Sequence, residues 1–163
     1  GVTSSLIYGV QWDLILKFIE TKNATTKANL TTDSTTVGNY CNSEFTLNRG
    51  KFAQYNSLSN WFAYNSEDKK DFVTGSKKKA QSSYSNGILL TTGATEATNL
   101  QNIYDVAGNV SEWTKEFYYT SYPCVYRGGS YSSNGSDFPA KIRNNYTISY
   151  SYNIVGFRLG LWK

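Results

Sequence analysis

Apolar residues recur at helical spacing convincingly once, near the start of the chain. Ile7, Val10, Leu14 and Phe18 stand at i, i+3, i+7 and i+11, and Ile15 and Ile19 widen the stripe. The spacing predicts one amphipathic core helix over residues 5–20, capped by Ser4 or Ser5, with Lys17 near its end. Gly9 inside it is either a mild cost or a point of close packing. From Thr21 to about Gly38 the chain is rich in Thr, Asn and Lys without a sustained period, which predicts loop. Residues 39–65 scatter Tyr40, Phe45, Phe52, Tyr55, Trp61, Phe62 and Tyr64 among polar residues, predicting short irregular pieces packed through their rings. The polar, lysine-rich stretch 66–87 ends on the turn signal Asn86-Gly87. Ile88-Leu89-Leu90 then predicts a short strand, and Glu96 to Leu100 a short second helix. Alternation over residues 156–162 predicts a closing strand, with Phe157, Leu159 and Leu161 toward the core and Arg158 opposite.

One helix, many short strands and long loops in 163 residues describe a single domain, 1–163, of α+β class. Loops this long inside one compact unit point to function. No stretch reaches the length of a membrane span, so no membrane insertion is expected, and no signal peptide opens the chain. The chain starts at Gly1 and holds no Met, which implies a fragment of a longer protein that could form homo-oligomers through an upstream region.

Composition changes the picture in three ways. Charged residues are only 17%, while fourteen Tyr and four Trp supply apolar area with a polar tip, as polar recognition surfaces do. The net charge of +4 comes largely from Lys69-Lys70 and Lys77-Lys78-Lys79, which lack interleaved aromatics and read as a solvated loop; no nucleic-acid partner is implied. There is no His, which removes Ser-His-Asp and Cys-His nucleophile arrangements. The twelve Asp and Glu form no defensible catalytic pair, and no phosphate-binding glycine loop is present. Cys41 and Cys124 permit one pairing, with thiols or a disulfide both open.

Three blocks stand in order near the C-terminus: Asn102 through Trp113, Arg127-Gly128-Gly129-Ser130, and Gly156-Phe157-Arg158-Leu159. With Tyr8-Gly9-Val10-Gln11-Trp12-Asp13, they resemble the formylglycine-generating enzyme (sulfatase-modifying factor) family. The resemblance implies a C-type-lectin-like fold of that type, with a small twisted antiparallel sheet, one or two helices and long irregular loops. Gly108-Asn109 permits a turn with positive φ, and Trp113 and Tyr104 would be core rings. Position by position, the related enzymes imply a structural calcium held by Asp105, Gly108, Val110 and Glu112, a mixed oxygen set that suits the ion. On the residues alone, Asp105 could instead cap a turn and Glu112 pair with Arg158 or Arg127. Ser111 stands where the family has an aromatic, which implies a local rearrangement. No other cofactor is required.

The resemblance covers the scaffold and not the chemistry. Formylglycine-generating enzymes bind copper through a cysteine pair shortly after the Gly-Gly-Ser block. Here that stretch reads Tyr131-Ser132-Ser133-Asn134-Gly135-Ser136, and hydroxyls do not replace soft thiolates at copper(I). The related sulfoxide synthases need histidine ligands, and there are none. Between the second and third blocks, thirteen of the twenty-three residues 131–153 are Ser, Tyr or Asn. Rigid Tyr with adaptable Ser and Asn is a binding-loop mixture. It assigns Tyr131, Ser132, Ser133, Asn134, Ser136, Asp137, Phe138, Asn144, Tyr146, Tyr150, Ser151, Tyr152 and Asn153 to a ligand-binding surface, with Tyr146, Tyr150 and Tyr152 as its chief anchors. The expectation is a noncatalytic domain with a host-cell or other surface receptor, protein or glycan, as its partner. It resembles retroelement-diversified variable proteins at a phage tail tip or bacterial surface. The alternatives are an enzyme of the formylglycine-generating or sulfoxide-synthase type, or a structural phage or pilus assembly domain.

Overall fold

The computed structural model describes residues 1–54, 57–66, 78–79 and 87–162. Strand β1 (Thr3–Leu6) pairs antiparallel with β13 (Leu159–Trp162), so the two ends of the described chain lie side by side. Ser4 and Ser5 therefore belong to a strand, and helix α1 runs from Gly9 to Thr21 instead of starting at residue 5. Tyr8 is its extended N-cap, and the Tyr8 N–H donates to the Gln11 side-chain oxygen at 2.8 Å.

The helix buries a different stripe from the one the spacing predicts. Trp12, Leu16 and Ile19 are inside, at i, i+4 and i+7, whereas Val10, Leu14 and Phe18 are exposed. Trp12 decides the rotation, because its indole offers the largest apolar area on the helix and is fully enclosed. The Arg127 and Arg158 guanidinium groups stand 5.8 and 5.5 Å from its ring, and its N–H donates to the Ala140 carbonyl at 2.9 Å. Gly9 is a point of close packing: a Cβ there would lie 2.1 Å from Glu116 Oε2. The region predicted as loop after α1 holds a second, five-residue helix α2 (Lys27–Thr31), where Thr26 Oγ1 accepts from Asn29 N–H and Leu30 is buried.

Next come β2 (Phe45–Thr46), β3 (Lys51–Gln54), β4 (Phe62–Ala63), β5 (Lys78–Lys79) and β6 (Ile88–Leu90). β3 is the centre of a three-stranded sheet ordered β4-β3-β6, built over Leu47, Phe52, Ile88 and Leu90. β6 is the predicted 88–90 strand, while most of the lysine-rich stretch lies outside the described residues. The short helix expected at 96–100 is only a 3-10 turn (Glu96–Thr98), capped by Thr95, which passes into β7 (Asn99–Leu100) and its partner β8 (Ile103–Tyr104).

The sheet that matters most is four-stranded. It is ordered β11 (Arg143–Tyr146), β10 (Tyr122–Arg127), β9 (Ser111–Tyr119) and β12 (Val155–Phe157), antiparallel except for the β9–β12 pair. Its inner face sets Val125 opposite Thr114, over the core centred on Trp12 and Tyr40. The closing strand predicted over 156–162 is broken at Arg158 into β12 and β13, which pair with different strands. Phe157, Leu159 and Leu161 are exposed and not in the core, because Arg158 between them turns inward. No described helix is long and apolar enough to cross a membrane.

Candidate functional site

The Tyr/Ser/Asn segment divides at Pro139. Its first part is framework. Tyr131 is fully buried and Ser133 nearly so, which removes both from the expected surface. Ser133 Oγ donates to the Ser130 carbonyl and accepts from the Ser130 N–H. The Ser133 carbonyl accepts from Cys41 N–H at 3.0 Å, the Cys41 thiol donates to Asn134 Oδ1 at 3.1 Å, and Gly135 N–H donates to Asn42 Oδ1. Phe138 packs on the Trp12 core and its carbonyl accepts from the Tyr40 hydroxyl at 2.8 Å, so it too is scaffold. Ser132 is half-buried, and Ser136 and Asp137 are the exposed members of this stretch. The short turn is swallowed because it plugs into the 34–43 loop.

The second part lies open. Across the outer face of the four-stranded sheet, Trp113 stands opposite Tyr126, Tyr126 opposite Asn144, and Cys124 opposite Tyr146. Tyr146 lies 3.6 Å, ring centroid to centroid, from Tyr150, and Tyr150 lies 5.8 Å from Tyr152. On one flank Tyr146 meets Tyr122 at 6.4 Å, Tyr122 meets Tyr119, and Tyr119 meets Tyr118. On the other, Trp113 sits edge-on to both Tyr126 and Tyr150. Apart from the closer, tilted Tyr146–Tyr150 contact, these separations are those aromatic pairs prefer. Ser151 and Asn153 are exposed beside them. Thus Asn144, Tyr146, Tyr150, Ser151, Tyr152 and Asn153 come together, but with five rings that composition of 131–153 alone does not reach: Trp113, Tyr118, Tyr119, Tyr122 and Tyr126. Trp113, expected in the core, is half-buried on this face. Period-two alternation across Trp113–Tyr119 and Tyr122–Tyr126 is the signal that could have found all of these but Tyr118, which falls off the period.

Burial pushes the Tyr126 and Tyr150 phenols above the usual tyrosine range, and the neighbouring phenols add to it; Tyr119 shifts the same way. At neutral pH the face offers uncharged hydroxyls. The nearby acids point elsewhere: Asp13 and Glu116 bind Arg127, which is itself buried, and Arg143. The result is an uncharged aromatic surface with hydrogen-bonding tips, supported from behind by an ion-pair network.

The signature turn sits behind the sheet. Gly108 and Asn109 both have positive φ, and a Cβ on Gly108 would be 2.3 Å from the Asn39 carbonyl oxygen. The Asn109 amide mimics a strand, accepting from Leu90 N–H at 3.0 Å and donating to the Leu90 carbonyl at 3.1 Å. Ser111, where the family has an aromatic, is buried with its N–H on the Ile154 carbonyl. The calcium set does not fit this turn. Both Glu112 oxygens accept from Arg158, through Nη2 at 2.6 Å and through Nε. Asp105 Oδ2 accepts from Gly93 N–H at 3.2 Å. Burial pushes both carboxyls up, and Arg158 opposes this in each. Neither Cys41 nor Cys124 is in a disulfide; Cys41 is buried near Asn134, and Cys124 is half-buried on the outer sheet face.

One main helix, small antiparallel sheets, long loops and a Gly108-Asn109 turn locked under a four-stranded sheet define a C-type-lectin-like α+β domain. Residues 28–161 match the family of sulfatase-modifying factor enzyme 1-like domains, and the chain belongs to that family. No curated protein and no solved structure gave a match.

Proposed function

We propose that this member of the family is a noncatalytic ligand-binding domain whose binding face is the tyrosine-lined outer side of the β11-β10-β9-β12 sheet. The observation that carries the reading is the unbroken series of ring contacts from Tyr118 through Tyr119, Tyr122, Tyr146 and Tyr150 to Tyr152. Single exposed rings are ordinary, but a continuous aromatic patch marks a recognition surface. Residue chemistry supports the noncatalytic part: the chain has no His, and no cysteine pair follows Gly128-Gly129-Ser130. The partner is a receptor on a cell surface, protein or glycan, and the domain is displayed at a phage tail tip or on a bacterial surface.

The same face carries the resemblance to retroelement-diversified proteins. Adenine substitution in an Asn codon yields Asn, Tyr, Ser and Ile among others, the types that crowd 144–153. Diversification confined to the exposed positions Tyr146, Ser151, Tyr152 and Asn153 and the half-buried Asn144 and Tyr150 would leave the scaffold intact. A gene locus with neither a near-copy of this coding segment nor a reverse transcriptase gene removes that part of the proposal.

A second reading, a structural assembly domain, draws on a different feature. Leu14, Phe18 and Leu159 line an open apolar groove of about 660 Å³ between α1 and β13. Binding of the labelled domain to arrayed glycans and bacterial surface proteins separates the readings. The Tyr146→Ala/Tyr150→Ala/Tyr152→Ala variant is expected to lose at least about 30-fold in affinity if even one ring is a hot spot. Unchanged affinity in that variant, with loss on Leu14→Ser/Phe18→Ser, favours assembly. Formation of formylglycine in a cysteine-containing sulfatase peptide, with copper supplied, would instead establish an enzyme.

A further inference from the structure

We infer that the guanidinium of Arg158 is the resident cation of the Tyr104–Trp113 turn, claiming the Glu112 carboxylate that the family resemblance assigns to calcium, so that the domain folds without a metal there. Nε and Nη2 of Arg158 reach the two oxygens of Glu112 as a fork, and Nη2 also approaches the carbonyls of Tyr104 at 3.3 Å and Asp105 at 3.2 Å. One planar cation thus holds a carboxylate and two carbonyls of the turn, the same kinds of oxygen that calcium would gather. Calcium takes six to eight such oxygens. Here Glu112 is committed to the fork and Asp105 Oδ2 to the Gly93 amide.

The surroundings suit a guanidinium. The Trp12 ring lies 5.5 Å from its central carbon. Arg158 is only 23% exposed and Glu112 only 7%, so the pair is shielded from water and salt. Its position is fixed by the break between β12 and β13, which points residue 158 inward while Phe157 and Leu159 point out. A buried carboxylate needs a countercharge, and the chain supplies its own.

Thermal unfolding of the purified domain tests this through three comparisons. The natural protein is expected to melt at the same temperature, within about 1 °C, in EDTA and in millimolar CaCl2, since no bound ligand stabilises it by mass action. Arg158→Met is expected to lower the melting temperature by about 10 °C, because it strands Glu112. Arg158→Lys, which keeps the charge without the fork, should fall between the two. A melting temperature of the natural protein that rises with CaCl2 or falls with EDTA overturns the inference. So does an Arg158→Met protein that melts like the natural one, or an Arg158→Lys protein no better than Arg158→Met. If Arg158→Met does not fold, the calcium comparison on the natural protein and the Arg158→Lys melt decide.

Discussion

Residues 131–138 and 144–153 draw mainly on the same three residue types and are opposite in role. More than half of each is Tyr, Ser or Asn. The first folds inward, with Tyr131 enclosed, Ser132 and Ser133 engaged by Ser130, and Asn134 by Cys41. The second lies on the outer side of a sheet, where Tyr146, Tyr150 and Tyr152 touch each other and the rings of β9 and β10. Strand register separates them. The pairing that places Val125 and Thr114 inside places Tyr126, Trp113 and Tyr146 outside, whereas the 131–138 turn has no sheet face and meets the 34–43 loop instead.

The contrast should be plainest in stability. Tyr131→Ala is expected to cost about 3–5 kcal/mol in urea unfolding, as removal of a buried ring does. Asn109→Ala should follow, at about 2–3 kcal/mol, because it leaves the Leu90 amide and carbonyl unpaired in the core. Tyr150→Ala should cost only about 1 kcal/mol globally, yet amide exchange over 147–153 should accelerate. That loop is tied to the sheet by Tyr150, which touches Tyr146, Tyr152 and Trp113. A loss of 3 kcal/mol or more in Tyr150→Ala would erase the distinction between the two segments.

How far the sequence carried depended on whether the deciding physics was local. The α+β class, the single main helix and the β6 strand followed from periodicity and turn residues. The inward face of α1 did not, because Val10, Leu14 and Phe18 form as regular a stripe as Trp12, Leu16 and Ile19. Trp12 tips the choice, and its partners are long-range: the Arg127 and Arg158 guanidiniums near its ring and the Glu116 carboxylate against Gly9. Likewise Phe157, Leu159 and Leu161 alternate as core residues would, but Arg158 between them is claimed by Glu112, forty-six residues away. The tyrosine face was half legible. Tyr146, Tyr150 and Tyr152 stand out by composition, while Trp113, Tyr119, Tyr122 and Tyr126 join them only through the pairing of β9 with β10.

Ser136→Ala and Asp137→Asn, at the exposed tip of the framework segment, should each change stability by less than about 0.5 kcal/mol. The phenols of Tyr119, Tyr126 and Tyr150 are raised in the folded protein, so their contribution is fully present below the unfolded-state value near 10 and is lost as pH climbs toward the folded values. Stability should therefore be level across pH 7–9 with respect to these groups and fall above about pH 10. Absorbance titration at alkaline pH should show the late-titrating phenols in the folded domain and lose them on unfolding. Tyr126→Phe/Tyr150→Phe should remove part of that late component.

The most direct test of the central claim is tyrosine nitration mapped by mass spectrometry, with the domain alone and then bound to a detergent extract of bacterial surface proteins and glycans. Tyr122, Tyr146 and Tyr152 are expected to be nitrated in the unbound domain and protected when bound, with Tyr131 unmodified throughout. Nitration of Tyr131 in the folded domain, or a bound state that leaves Tyr122, Tyr146 and Tyr152 as reactive as before, would contradict it.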